Sequence, residues 1–255
     1  MSLLLTMNSK NPEADASHVV NLTTMTEEER VLETRLRRKI DIMILPLVVV
    51  AYILNYIDRN NFAAARLQGL EQSLDLRADE YQNCLLVLFV GYLLGQVPSN
   101  LLLNRLGRPS LFIGAFIIAW GLVSALTSLV QNYSQMMVCR FLLGAVEAPF
   151  FPDVLFYLSK WYRRKELNLR VSIFFSGTLL GGGFGNLIAA AVLRDLKGAC
   201  GLDAWRWLYI IEGTVTVSVG IVFCIFLPDF PRTWKHLKPQ MQHIALKPLT
   251  LEARE

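Results

Sequence analysis

The sequence predicts an all-α integral membrane protein built from six spanning helices. Three observations lead there. Of 255 residues, 53% are apolar and only 18% are charged, with a mean hydropathy of +0.39. Globular domains average roughly 45–50% apolar, a figure that already counts glycine, and about 25% charged. The apolar residues fall in long blocks rather than in stripes, which argues against a soluble amphipathic bundle. Each block also reaches the length of about 20 residues that a helix needs to cross roughly 30 Å of hydrocarbon, where an open strand or loop leaves its backbone polar groups unsatisfied.

In chain order, the polar segment 1–38 reads as a cytosolic tail, with Thr26-Glu27-Glu28-Glu29 placed to cap a short surface helix. It holds no long apolar core, so a cleaved signal peptide is not expected. The blocks follow at about 40–58, 82–103, 109–130, 134–158, 170–193 and 206–228, giving a bundle over 39–231. Pro46, Pro98, Pro149 and Pro152 are expected to interrupt the first, second and fourth helices. Gly177, Gly181 and Gly185, with Gly182 and Gly183 between them, give the fifth helix a smooth face for close packing. Trp161, Tyr162, Trp205, Trp207 and Tyr209 stand at block ends, where interfacial anchors sit. Residues 232–255 read as a second cytosolic tail.

Loop charges set the orientation, because cytosolic loops near helix ends keep positive charge. One side carries Arg30, Arg35, Arg37, Arg38, Lys39, Arg105, Arg108, Lys160, Arg163, Arg164, Lys165, Arg170, Arg232, Lys235 and Lys238. The other carries Arg59, Arg66, Arg77, Arg194, Lys197 and Arg206, diluted by five acids. Both termini are therefore expected in the cytosol. The loops also account for the formal charge of +4, and no basic face with interleaved aromatics remains for nucleic acid.

Ionisable groups inside the blocks are the candidate functional residues, since each costs at least about 2.5 kcal/mol near the bilayer centre and such groups usually face a bundle interior or a water-filled path. The run Tyr56-Ile57-Asp58-Arg59-Asn60-Asn61 sets an acid beside a base at the end of the first helix. Arg140, Gly144 and Glu147 fall at i, i+4 and i+7 on one face of the fourth, the glycine leaving space between the two charges. A guanidinium is a planar fork for a carboxylate, and a carboxyl group in an apolar cavity favours its protonated form, which suits proton loading. The alternative reading is structural: Asp58 and Arg59 as a helix-end pair, and Arg140 with Glu147 as an internal salt bridge. Glu212 reads first as a structural residue reaching for the interface.

Other chemistries find little support. The four cysteines have no paired spacing, the three histidines lie outside the blocks, and no clustered set suggests a metal. No nucleophile with its base and no cofactor loop can be assembled, so an enzyme is not expected. No cofactor is expected either.

These residues resemble the major facilitator superfamily, and within it the anion:cation symporters that include fungal allantoate and nicotinate permeases. The resemblance runs from about Leu45 to Pro231. It rests on Asn55-Tyr56-Ile57-Asp58-Arg59-Asn60-Asn61, on Gln96-Val97-Pro98-Ser99-Asn100 leading to Asn104-Arg105-Leu106-Gly107-Arg108, and on Arg140-Phe141-Leu142-Leu143-Gly144-Ala145-Val146-Glu147-Ala148. Tyr157-Leu158-Ser159-Lys160-Trp161-Tyr162, Trp205-Arg206-Trp207-Leu208 with Ile211-Glu212-Gly213, and Leu227-Pro228-Asp229-Phe230-Pro231 complete it.

The resemblance implies one six-helix half of a transporter, made of two inverted three-helix repeats, that moves a small organic carboxylate with protons by alternating access. It implies Arg59 and Arg140 for the anion and Asp58 and Glu147 for protons, with Tyr56 and Asn186 completing the substrate-binding set. Asn104, Arg105, Gly107 and Arg108 resemble the superfamily's gating loop, with Asn104 standing where an acid is usual. The implied partners are the lipid bilayer, protons, the carboxylate, and a second six-helix half or a homodimer partner. The plasma membrane is the first expectation for location and the vacuolar membrane the second. A non-transporting half-transporter fragment, or a regulatory membrane protein that pairs with a full-length permease, is the alternative function.

Overall fold

The computed structural model describes residues 26–252 apart from 107, 197, 232, 235, 236 and 238; at 97, 100–106, 193, 239, 240 and 248–252 it describes the backbone alone. The described chain is helical, with no strand. Its helices are α1 (Glu27–Leu67), α2 (Leu70–Ser73), α3 (Ala78–Leu106), α4 (Pro109–Thr127), α5 (Tyr133–Glu147), α6 (Phe150–Ser159), α7 (Arg164–Asp195), α8 (Ala204–Phe226) and α9 (Pro239–Glu252), with a short 3-10 turn at Ala199–Gly201.

Thr26 caps α1 as its sequence suggests. Its hydroxyl accepts from Glu29 N, and the Glu29 carboxylate accepts from Thr26 N, so two exposed donors are satisfied reciprocally. Three acids in the first turn complement the positive end of the helix dipole. The separate surface helix does not exist, however. No glycine or proline stands between Glu29 and Leu45, so the capped helix runs straight into the first apolar block and continues past Asp58 to Leu67.

The prolines also depart from expectation. Pro46 and Pro98 lie inside continuous helices, and Pro152 sits in the first turn of α6. Only Pro149 coincides with a break: the fourth block divides into α5 and α6 at Ala148–Pro149. Pro98 and Pro46 each forfeit one backbone bond, a loss that neighbouring groups in a bundle can absorb. The segment read as a second tail contains α9, where Lys247 Nζ is 2.7 Å from Glu29 Oε2 at the start of α1.

Three helix pairs build the bundle: α4 with α8, α3 with α5, and α1 with α7. In lipid the hydrophobic effect does not drive such pairing, so close backbone approach and van der Waals contact must. Glycine makes that approach possible. A Cβ at Gly144 would meet the Leu88 carbonyl oxygen of α3, and one at Gly213 would lie 2.6 Å from Gly121 O of α4. The stripe on α7 packs as predicted, with Gly181 against Ile53 and Tyr56 and Gly185 against Ile57, all on α1.

At the basic end of the bundle, charge joins α1 to α7. Arg170 donates from Nε to Asp41 Oδ1 at 2.8 Å and from Nη2 to Oδ2 at 2.7 Å, a bidentate fork, with its Cζ 4.0 Å from the Tyr162 ring centroid. Arg37 bonds both Glu33 and Glu166, and Arg163 Nη2 lies 2.9 Å from Glu33 Oε1. The aromatic residues read as interfacial anchors turn inward instead: Trp161, Tyr162, Trp205 and Tyr209 are buried within the bundle, and Trp207 is half-buried.

Candidate functional site

The polarity of this bundle is inverted. Leu179 is 81% exposed and Leu93 67%, while Asp58, Arg140, Glu147, Asp153 and Glu212 are buried. A protein in water hides its leucines and solvates its charges. Among the described residues, five spans are long and apolar enough to cross a membrane, α5 and α6 together forming one of them, and α3 runs alongside them for 29 residues. Asp153 lies apart on α6 without a partner on either carboxylate oxygen; the other charged groups cluster where α1, α4, α5 and α8 meet.

Asp58 and Arg59 are neighbours in sequence but not a pair. Successive helical residues point about 100° apart, so they address different helices. Arg59 Nε donates to Glu147 Oε1 of α5 at 2.5 Å, and Asn55 Nδ2, one turn earlier on α1, donates to the same oxygen at 2.7 Å. Glu147 is the last residue of α5, at the negative end of that helix's dipole, so its charge requires these donors. The Arg59 Cζ also stands 5.0 Å from the Tyr92 ring centroid.

Arg140 does not reach Glu147, and the internal salt bridge of the alternative, structural reading is absent among the described residues. Its Nη2 donates to the Tyr209 hydroxyl of α8, and its Cζ lies 3.9 Å from the centroid of the Phe62 ring of α1. Nε has no partner. Seven residues along a helix span about 10 Å of rise, too far for a direct contact between two side chains that both lean sideways toward other helices.

Asp58 faces the opposite way, its Oδ1 2.8 Å from Ser124 Oγ of α4. Ser124 Oγ is also hydrogen-bonded to Glu212 Oε2 of α8, and Thr216 donates to Glu212 Oε1 at 3.2 Å. Glu212 is thus no snorkelling residue: it is buried in the same polar seam as Asp58.

The remaining candidates are more dispersed. Tyr56 is half-buried against Gly181 and Gly182 of α7, and Asn186, one turn beyond Gly182, is exposed. Arg108 is exposed before α4, whereas Gly107 and the side chains of Asn104 and Arg105 lie outside the described residues. Sequence reasoning missed Asn55, Ser124 and Tyr209. Asn55 was open to discovery, being an amide one turn from Arg59 within an apolar run; a lone serine or a tyrosine near a helix end carries no such signal. Among the described residues no group of His, Cys, Asp or Glu could hold a metal ion.

The Major Facilitator Superfamily profile matches residues 48–253. The chain belongs to the Major Facilitator Superfamily. Superfamily relatives include the MFS-type transporter cnsO of Penicillium expansum, 34% identical over 91% of this chain and 46% of its own length. A putative tartrate transporter of Agrobacterium vitis is 34% identical over 87% of this chain and 50% of its length. The pantothenate transporter liz1 of Schizosaccharomyces pombe is 33% identical over 87% and 45%. The chain thus spans about half the length of the curated relatives it matches. Among solved structures, the superfamily proton:xylose symporter XylE aligns with a TM-score of 0.64 at 15% identity, covering 86% of this chain and 52% of that one. A bacterial homolog of the human lysosomal transporter Spinster gives 0.64 at 20% identity, over 77% and 46%. Membership makes this an integral, multi-pass membrane protein with the all-helical architecture of a six-helix superfamily half, and the relatives named above are transporters.

Proposed function

We propose that this chain is part of a proton-coupled transporter of small organic carboxylates, of the anion:cation symporter type, working by alternating access with both termini in the cytosol. One observation carries this reading: Arg59 binds the buried Glu147 carboxylate while remaining about one-third exposed at its side chain. A guanidinium held by an internal acid, yet open on one side, suits exchange of carboxylates. When Glu147 takes up a proton it no longer holds Arg59 by charge, and a substrate carboxylate can take its place; when the proton leaves, Glu147 reclaims Arg59 and the substrate departs. Arg140 is the second anion-binding group, with Tyr56 and Asn186 as further contacts. Support comes from the relatives too, since tartrate and pantothenate are both carboxylates.

The test is uptake of labelled tartrate and pantothenate into cells or vesicles carrying the protein, with the outside acid or neutral. Acid-stimulated uptake that is lost in Arg140→Ala is expected. Glu147→Gln should retain exchange but lose its dependence on pH. Uptake unaffected by Arg140→Ala would remove that residue from anion binding, and unchanged pH dependence in Glu147→Gln would remove Glu147 from the proton path.

A further inference from the structure

The buried site holds three carboxyl groups, Asp58, Glu147 and Glu212, against two guanidinium groups, Arg59 and Arg140. Arg59 is taken by Glu147, and Arg140 is bonded to the Tyr209 hydroxyl. No described cation lies within ion-pair distance of Asp58 or Glu212. Both acids instead meet at Ser124, whose Oγ is hydrogen-bonded to Asp58 Oδ1 and to Glu212 Oε2. A serine hydroxyl has one hydrogen, so it can donate to only one carboxylate. The other contact is a hydrogen bond only if the carboxyl there carries the hydrogen and donates it to the serine oxygen.

The two observations are independent, one of charge balance and one of hydrogen count, and they agree. Three further atoms of the site lack partners although their residues are almost fully buried: Asp58 Oδ2, Arg140 Nε and Glu147 Oε2. The facing elements offer no other source of charge. α4 has no ionisable side chain, and α7 has none between Arg170 and Arg194. α5 contributes Arg140 and Glu147, α1 adds Arg59, and α8 adds Tyr209.

We propose that Asp58 and Glu212 share a single proton across Ser124, which makes Glu212 a proton-holding residue of the coupling site. When the proton leaves Glu212 it bonds to Ser124 Oγ as the hydrogen already there passes to Asp58. The proton changes carboxyls while the trio keeps one negative charge. Exchange with the outside empties or refills the pair. The role in coupling rests on the proton-coupled reading above; the shared proton does not.

Infrared spectroscopy of the full chain in nanodiscs reads the protonated carboxyl directly through its carbonyl stretch, identified by its shift in deuterium oxide. An Asp153→Asn background removes another buried carboxyl that has no partner on either oxygen. Glu212→Gln and Asp58→Asn should each remove one carboxyl's intensity, since three acids against two bases become two against two. The double variant should remove no more than either single one. That non-additivity is the signature of one shared proton. Bands unchanged in both single variants, or a double variant that loses twice the intensity, would overturn the proposal. Ser124→Ala, which leaves both acids in place, should keep the full band; its loss would also count against sharing. Uptake separates the coupling role. If wild-type pantothenate uptake is acid-stimulated, Glu212→Gln should flatten the response toward equal rates at both pH values, and an unchanged response would remove Glu212 from coupling. Uptake by the wild type that ignores pH would instead sink proton coupling as a whole while the infrared result still decides the shared proton.

Discussion

Arg59 and Glu147 join two helices from positions 88 residues apart, Nε donating to Oε1 at 2.5 Å. Their exposures are unequal: the Glu147 side chain is fully buried and that of Arg59 is 36% exposed. Arg59→Ala should therefore lower thermal stability more than Glu147→Gln. The first strands a buried carboxylate, a loss of about 3–5 kcal/mol where the charge persists. The second leaves a guanidinium that still reaches solvent and the Tyr92 ring. Melting in detergent compares the two, and equal losses would show that the pair contributes through packing alone.

The α3–α5 contact depends on a missing side chain. At Gly144 a Cβ would strike the Leu88 carbonyl oxygen and stand 3.0 Å from Tyr92 N, and neither backbone atom can swing aside. Gly144→Ala is expected to lower stability by about 1–3 kcal/mol. Gly183→Ala, where nothing lies within 4 Å, should be neutral or slightly stabilising because alanine favours the helix. A Gly144→Ala protein that melts with the parent would refute the close approach.

Arg170→Lys tests whether the clamp between α1 and α7 depends on shape or on charge. Lysine keeps the charge but cannot reproduce the two parallel bonds to Asp41 or the planar contact with Tyr162. A loss of about 1–3 kcal/mol is expected, with faster amide exchange in the first turns of α7. Full stability in the lysine variant would mean that a point charge suffices.

Orientation can be read from one cysteine. Cys200 is exposed in the turn between α7 and α8, while Cys84 is buried and Cys139 and Cys224 are partly covered. With both termini in the cytosol, that turn faces outward. A membrane-impermeant maleimide should label intact cells, and Cys200→Ser should abolish the signal. Labelling only after permeabilisation would reverse the orientation.

Much of this architecture is legible in the sequence because block length is a global property. Six runs of about 20 apolar residues leave little choice but spanning helices, and the glycine spacing at 177, 181 and 185 already implies the packed face that meets Ile53, Tyr56 and Ile57. Charges buried in such blocks stand out just as clearly. Their partners do not. The i, i+7 spacing of Arg140 and Glu147 describes one helix, whereas the bonds go to Tyr209 and Arg59 on two others, and only tertiary placement decides that. Ser124 is the extreme case, since its meaning comes entirely from the two acids that the fold brings to it. Pro46 shows the converse, a strong local signal overridden by an unbroken helix.

That unbroken helix works as a lever. At 1.5 Å per residue, the 41 residues of α1 extend about 60 Å, twice the thickness of a bilayer's hydrocarbon. Asp41, gripped by Arg170 at the basic end, and Arg59, gripped by Glu147, lie on the same rod about 27 Å apart. A tilt imposed at Arg59 would be felt at Asp41 without any relay of side chains, because the covalent backbone itself joins the two.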